Sequence, residues 1–229
     1  MKGLVLKDVY NVRFQIFTGM AIMMFPYLLL LISGGYDNAE DNILNEEIFG
    51  INGGVVVFVL LSYISITVNS SFMLNTIVDD NRSGWGKMQR TMPVSSVGIV
   101  GAKMAANGVI VGGLALIDIA VNMIGIFKLG LPPETLVAAP LVFGCLQMIT
   151  LSVATVMGYR FGSVGTIVGY LLGVLVIAAG VVVLLYNLLT ENLNVTAFRV
   201  ICYAVIPALT AAVIAVCCNL GKKAVERDV

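Results

Sequence analysis

Six stretches of this chain are long and apolar enough to cross a lipid bilayer, and no other feature limits its possible folds so tightly. A hydrocarbon core about 30 Å thick needs roughly 20 predominantly apolar residues in helical form. Segments near 14–33, 51–76, 99–127, 136–158, 164–186 and 197–219 meet that length, and the first, second, fourth and fifth contain no Asp, Glu, Lys or Arg. Of 229 residues, 59% are hydrophobic and 11% charged, against about 25% charged in soluble domains. The expectation is an all-α membrane protein of six transmembrane helices, one domain over 1–229, with no room for a soluble catalytic domain. Lys2, Lys7 and Arg13 before the first span suit a signal peptide, but its apolar run is too long and no A-x-A pattern follows Ser33, so it is expected to stay in the mature protein.

Charge placement sets the orientation. Eleven of the 13 basic residues (Lys2, Lys7, Arg13, Arg82, Lys87, Arg90, Lys103, Arg160, Lys222, Lys223 and Arg227) fall on one side of the predicted spans, and Lys128 and Arg199 on the other. The positive-inside bias predicts cytoplasmic termini and cytoplasmic loops near 77–98 and 159–163. The 34–50 connection, with Asp37, Glu40, Asp41, Glu46 and Glu47, then faces outward. Net charge is zero, so no overall field attracts nucleic acid. Cys145, Cys202, Cys217 and Cys218 lie in apolar runs without CxxC spacing or any histidine, which indicates buried small hydrophobes and no metal site.

Two cytoplasmic segments invite a functional reading. Residues 1–13 (MKGLVLKDVYNVR) set Leu4, Val5 and Val9 against Lys2, Lys7, Asp8 and Arg13, which predicts an interfacial helix or, more simply, a charged flank. Residues 79–103 (DDNRSGWGKMQRTMPVSSVGIVGAK) form the longest cytoplasmic connection. Within it Ser83 can cap a short helix through Trp85, Lys87, Met88 and Arg90 that stops before Pro93. Trp85 and Met88 share a face ringed by Arg82, Lys87 and Arg90, which suits an anchor in a protein interface or, alternatively, a tryptophan at the membrane surface.

The order of residues in this loop resembles the hallmark of the type-2 ATP-binding-cassette (ABC) exporter permeases. The matching positions are Asp79, Asp80, Gly84, Trp85, Lys87, Arg90, Thr91, Pro93, Val94, Ser95, Ile99, Val100 and Lys103, and MKGLVLKDVYNVR is similar to the family's opening. Within the family the chain looks most like the small permeases that export amphipathic peptides such as phenol-soluble modulins. Departures are Ser96-Val97-Gly98, where relatives often carry basic residues, and Arg82, where they often carry lysine. The resemblance implies an N-terminal elbow helix and a coupling helix near 82–91, with Arg82, Trp85, Lys87, Met88 and Arg90 seated in a groove of a separate ATPase subunit. It implies residence in a bacterial plasma membrane, no cofactor on this chain, and ATP with Mg2+ on that partner.

Polar residues inside the spans are the candidates for a substrate path. Asp118 is the only acid within a span, and an ionised carboxylate there costs about 2.5 to 3.5 kcal/mol, so it should face protein or water. Asn107, Asp118 and Asn122 lie each within about 40° of the next on one stripe of the third span. That stripe reads as part of a translocation path or as helix-to-helix hydrogen bonding, with Arg199 a conceivable partner for Asp118. Ser62, Ser65 and Asn69 recur at helical spacing on the second span and read either as a wettable wall or as ordinary packing. Gly165, Gly169 and Gly173, four apart, predict close helix contact within the subunit or across a dimer seam. Pro26 and Pro207 predict kinks.

No G-x-x-x-x-G-K-[ST] loop is present, since Gly221-Lys222-Lys223 lacks both the upstream glycine and the downstream hydroxyl. Energy for export would therefore come from the partner ATPase, and closed two-fold assembly suggests a homodimer with two ATPase subunits, or a related second permease in place of the second copy. Catalysis by histidine is excluded, and an aspartyl protease would need a second buried carboxylate beside Asp118. The rival reading is an ion-coupled secondary transporter or channel, which leaves the Trp85 loop unexplained.

Overall fold

A computed structural model describes residues 2–33, 47–48, 51–83, 95–189 and 199–227, and almost all of them are helical. The apolar runs dictate this, because backbone polar groups within lipid must be satisfied inside their own segment. Five helices among the described residues are long and apolar enough to cross a membrane. They are α1 (Lys2–Ser33), α2 (Gly53–Arg82), α3 (Ser96–Leu129), α4 (Pro133–Leu189) and α5 (Ile206–Arg227). A two-residue antiparallel ribbon, β1 (Glu47–Ile48) with β2 (Ile51–Asn52), precedes α2.

The expected boundary near residue 13 is absent. Residues 2–13 continue into the first apolar run as one helix, with no separate interfacial element. The cause is burial: Val12 and Asp8 pack into the bundle, so this segment is held by α2 and α3. The second helix likewise extends past residue 76 to Arg82 and closes on Ser83, whose N–H and hydroxyl both donate to Asp79 O, at 2.8 and 2.7 Å. Ser83 thus closes α2, and the short helix that the sequence places after it lies outside the described residues. The third helix opens one turn early because the Ser95 hydroxyl accepts from the Gly98 N–H at 3.2 Å, and it closes on Gly130 at φ 64°.

Helix α4 is two arms folded back at Gly162, whose φ of 70° and ψ of −157° suit only glycine. Gly165, Gly169 and Gly173 on the second arm face Met157, Ala154 and Thr150 on the first, and the falling partner numbers make the arms antiparallel. A methyl at Gly173 would stand 2.9 Å from Thr150 Cγ2, so the glycine run lets the arms close within one subunit. Gln147 Nε2 donates to Tyr170 Oη across the same contact at 3.2 Å. Before Pro207 the chain takes a π-helical turn, Ile201–Val205, in which the Ile206 N–H reaches back to Ile201 O. That turn absorbs the amide that proline lacks.

Val12, Ile66, Met73, Val111 and Leu151 form a core shared by α1, α2, α3 and α4. A second core holds Tyr27, Phe58, Val121 and Leu136, with Gly125 leaving room for the Phe58 ring. The outer faces are as apolar as the interior, with Phe14, Phe17, Leu171 and Leu175 exposed. Such surface suits lipid and would aggregate in water. One end of the bundle gathers Lys7, Asp80, Lys103, the Asn81 contact to Gly158 O and the seat of Gly221 on Val100. At the other end, Tyr203 Oη donates to Glu134 O and Asn122 donates to Leu136 O.

Candidate functional site

The helix ends that flank residues 84–94 carry a ring of alternating charges with the start of α1. Lys7 Nζ donates to Asp80 Oδ1 at 2.5 Å, and Lys103 Nζ donates to Asp80 Oδ2 at 2.8 Å. Lys103 Nζ also stands 3.0 Å from Asp8 Oδ2, and Lys7 closes the ring 4.0 Å from Asp8 Oδ1. Helical spacing explains the convergence. Asp8 shares a face of α1 with Val12, Asp80 shares a face of α2 with Met73 and Ile77, and Lys103 shares a face of α3 with Val100 and Asn107, all turned inward.

Lys103 and Asp8 are 3% and 4% exposed, so neither charge can rely on water. Two ammoniums against two carboxylates leave the ring neutral, the condition under which buried ions are tolerated. Asp80 lies in the last turn of α2 and Lys103 two turns into α3, and Lys7 and Asp8 fasten both helices to α1. The sequence pointed to Asp80 and Lys103 as matching positions and to Lys7 and Asp8 as the polar side of residues 1–13, without pairing them. The available signal was Lys103 itself, a lone cation inside an apolar run that needs a counter-charge. Arg82 ends α2 beside this ring, whereas Trp85, Lys87, Met88 and Arg90 lie outside the described residues.

A second constellation runs along the bundle interior. Tyr27 Oη and Ser62 Oγ are 3.2 Å apart, and Asn122 Nδ2 donates to Ser62 Oγ at 3.1 Å and to Leu136 O at 2.9 Å. Ser65 Oγ donates to Asp118 Oδ1 at 3.1 Å, and Asn69 Nδ2 donates to Ser65 O at 2.8 Å. Ser62, Ser65, Asn69, Asp118 and Asn122 therefore meet in one seam between α2 and α3. Asn107 turns instead to Thr155 Oγ1 of α4, at 3.4 Å. All six are buried, and beside Asp118 there remains a crevice of about 10 Å3 lined by Met20, Met24, Tyr27 and Leu114. That is room for about one water, so the seam is closed within the single chain.

The seam is also incompletely satisfied. Asn69 Oδ1, Asn107 Oδ1, Asp118 Oδ2 and Asn122 Oδ1 are buried without a hydrogen-bond partner among the described residues. Each such acceptor is costly, by about 1 to 3 kcal/mol, and three of them along one seam, with Asn107 Oδ1 facing α4 nearby, call for an explanation. The conceivable Asp118–Arg199 pair does not form. Arg199 forks onto Glu134 at the far end, with Nε 3.0 Å from Oε2, because its position on the chain brings it to the start of α4. Tyr27, which reaches the seam from α1, was not legible as a polar partner because it does not stand out in an apolar run, and Gly19 of α1 leaves room there for the Asn69 side chain. No family model, curated protein or solved structure matches the chain.

Proposed function

We propose that this chain is the transmembrane subunit of an ABC exporter, moving amphipathic or antimicrobial peptides outward with ATP hydrolysed by a separate subunit. In this reading it crosses a bacterial plasma membrane six times, the two arms of α4 counting separately, with both termini in the cytoplasm. Two copies with two ATPase subunits form the working complex. The supporting observation is the ionic ring. Asp80 and Lys103, both positions of the type-2 permease resemblance, meet Lys7 and Asp8 from the segment that resembles the family's opening.

Force arriving at the 84–94 loop would act on α2 and α3 at their ring residues and reach α1 through Lys7 and Asp8. Three helices would then move as one body, and Tyr27, Ser62 and Asp118 lie along them. Opening of the seam would hydrate Asn69 Oδ1, Asp118 Oδ2 and Asn122 Oδ1, which lack partners when it is closed. An amphipathic guest would meet both those oxygens and the methionines beside them.

Co-purification with a stand-alone nucleotide-binding protein encoded beside this chain tests the proposal, with Trp85→Ala compared against wild type. Loss of association and of ATP-dependent peptide export from proteoliposomes is expected. Undiminished association and export in the variant would remove the coupling assignment. The second reading, ion-coupled transport, draws on the unpartnered Asp118 Oδ2. It predicts flux driven by an ion gradient through the purified chain without nucleotide.

A further inference from the structure

At the end of the bundle that carries the ionic ring, a cavity of about 510 Å3 opens between the first arm of α4 and the last turns of α5. Its exposed rim holds Arg160 and Lys223. Neither forms an ion pair with an acid among the described residues, and the Arg160 guanidinium is instead 5.3 Å from the ring centre of Phe161. Below the rim the walls are apolar, with Val153, Val156 and Met157 on α4 and Leu220 on α5. From Arg160 down to Val153 is seven helical residues, about 10 Å at 1.5 Å per residue. The volume falls in the range of about 300 to 1,000 Å3 typical of small-molecule sites.

We propose that this cavity binds an anionic phospholipid, its phosphate between Arg160 and Lys223 and the upper part of one acyl chain along Val153, Val156 and Met157. The charge arrangement selects the headgroup: two cations without acidic partners among the described residues favour a phosphodiester at the mouth over a zwitterion's ammonium. The wall selects a lipid over a free anion, because inorganic phosphate would occupy only the rim and leave about 10 Å of apolar groove unfilled. Basic pockets between helices at a membrane surface recognise anionic headgroups in this way. The site requires only that these helices cross a bilayer and is independent of the exporter reading.

Native mass spectrometry of the detergent-solubilised full chain, titrated with phosphatidylglycerol or phosphatidylcholine, tests the assignment. At about 1 kcal/mol for each cation, phosphatidylglycerol should bind roughly 30-fold more tightly. Arg160→Gln/Lys223→Gln should abolish that preference, and Lys223→Gln alone should lower it about fivefold. The exposed single variant keeps the test valid if the double variant folds poorly. Equal binding of the two lipids, or an unchanged preference in Lys223→Gln, would overturn the proposal. So would displacement of phosphatidylglycerol by inorganic phosphate, which would mark a soluble anion's site.

Discussion

Lys103 Nζ lies 3.0 Å from Asp8 Oδ2, joining the first turns of α3 to the N-terminal part of α1 where both side chains are shut off from solvent. Removing one member of a buried ion pair costs about 3 to 5 kcal/mol, since the partner charge is left uncompensated. Lys103→Met should therefore lower unfolding stability in detergent by about that amount. Lys7, whose side chain is 28% exposed, can hand its partners to water, and Lys7→Met should cost only about 1 kcal/mol. Denaturant titration of the two variants side by side decides the matter. Equal losses would mean that burial does not set the strength of the ring.

If the chain is the proposed exporter subunit and the ring transmits force, Lys7→Met should retain its fold and its association with the proposed ATPase subunit yet export more slowly. Stability and association measured beside transport separate coupling from folding. Full export in a folded Lys7→Met chain would confine the ring to a structural role.

Gly19 meets Asn69 so closely that a methyl built on it would stand 2.1 Å from Oδ1. Overpacking of this kind costs about 1 to 3 kcal/mol, so Gly19→Ala should destabilise the α1–α2 contact. Asn69→Ala removes the obstructing oxygen. The double variant should then be more stable than the sum of the singles by about 0.5 to 1 kcal/mol or more. Strict additivity in this cycle would show that the two residues do not touch.

The apolar runs made the helices legible, because length and lack of charge are local properties that lipid reads directly. Their joints were harder to foresee. Lys103 finds Asp80 across 23 positions and Asp8 across the whole second helix, and nothing in the residues around Lys103 encodes either partner. The continuous α1 follows from the same long-range contact, which overrides the amphipathic pattern of residues 2–13. Gly162 lay in a short connection and stood out only once its positive φ was seen. The polar stripes were visible as spacing, but spacing could not separate Asn107, which turns to Thr155, from Asp118, which turns to Ser65.

Glycines that look alike in sequence differ in what surrounds them. A side chain at Gly169 would meet Met157 Cβ and Cγ at 3.0 Å and Ala154 Cα at 3.2 Å, whereas nothing lies within 4 Å of a methyl at Gly112. Gly169→Leu should pry the arms of α4 apart and lower the thermal stability of the isolated chain. Gly112→Leu should leave that stability unchanged. Thermal melts in detergent, with oligomeric state followed by light scattering, separate the two effects. A fully stable Gly169→Leu chain that merely fails to dimerise would move the glycine run to an intersubunit seam.

Asp118 distinguishes the two modes of transport. Its Oδ1 accepts from Ser65 Oγ at 3.1 Å, and asparagine in its place keeps an acceptor of the same size while removing the ionisable group. An exporter powered by ATP needs only the shape and polarity of the seam, so Asp118→Asn should export within about twofold of wild type. Asp118→Leu, which strands Ser65 and fills the crevice with a branched side chain, should lose activity. An ion-coupled carrier needs the carboxylate itself as the group that binds and releases the ion. Transport by Asp118→Asn in proteoliposomes, with its fold checked by thermal melt, separates the cases, and a folded but inactive asparagine variant would favour ion coupling.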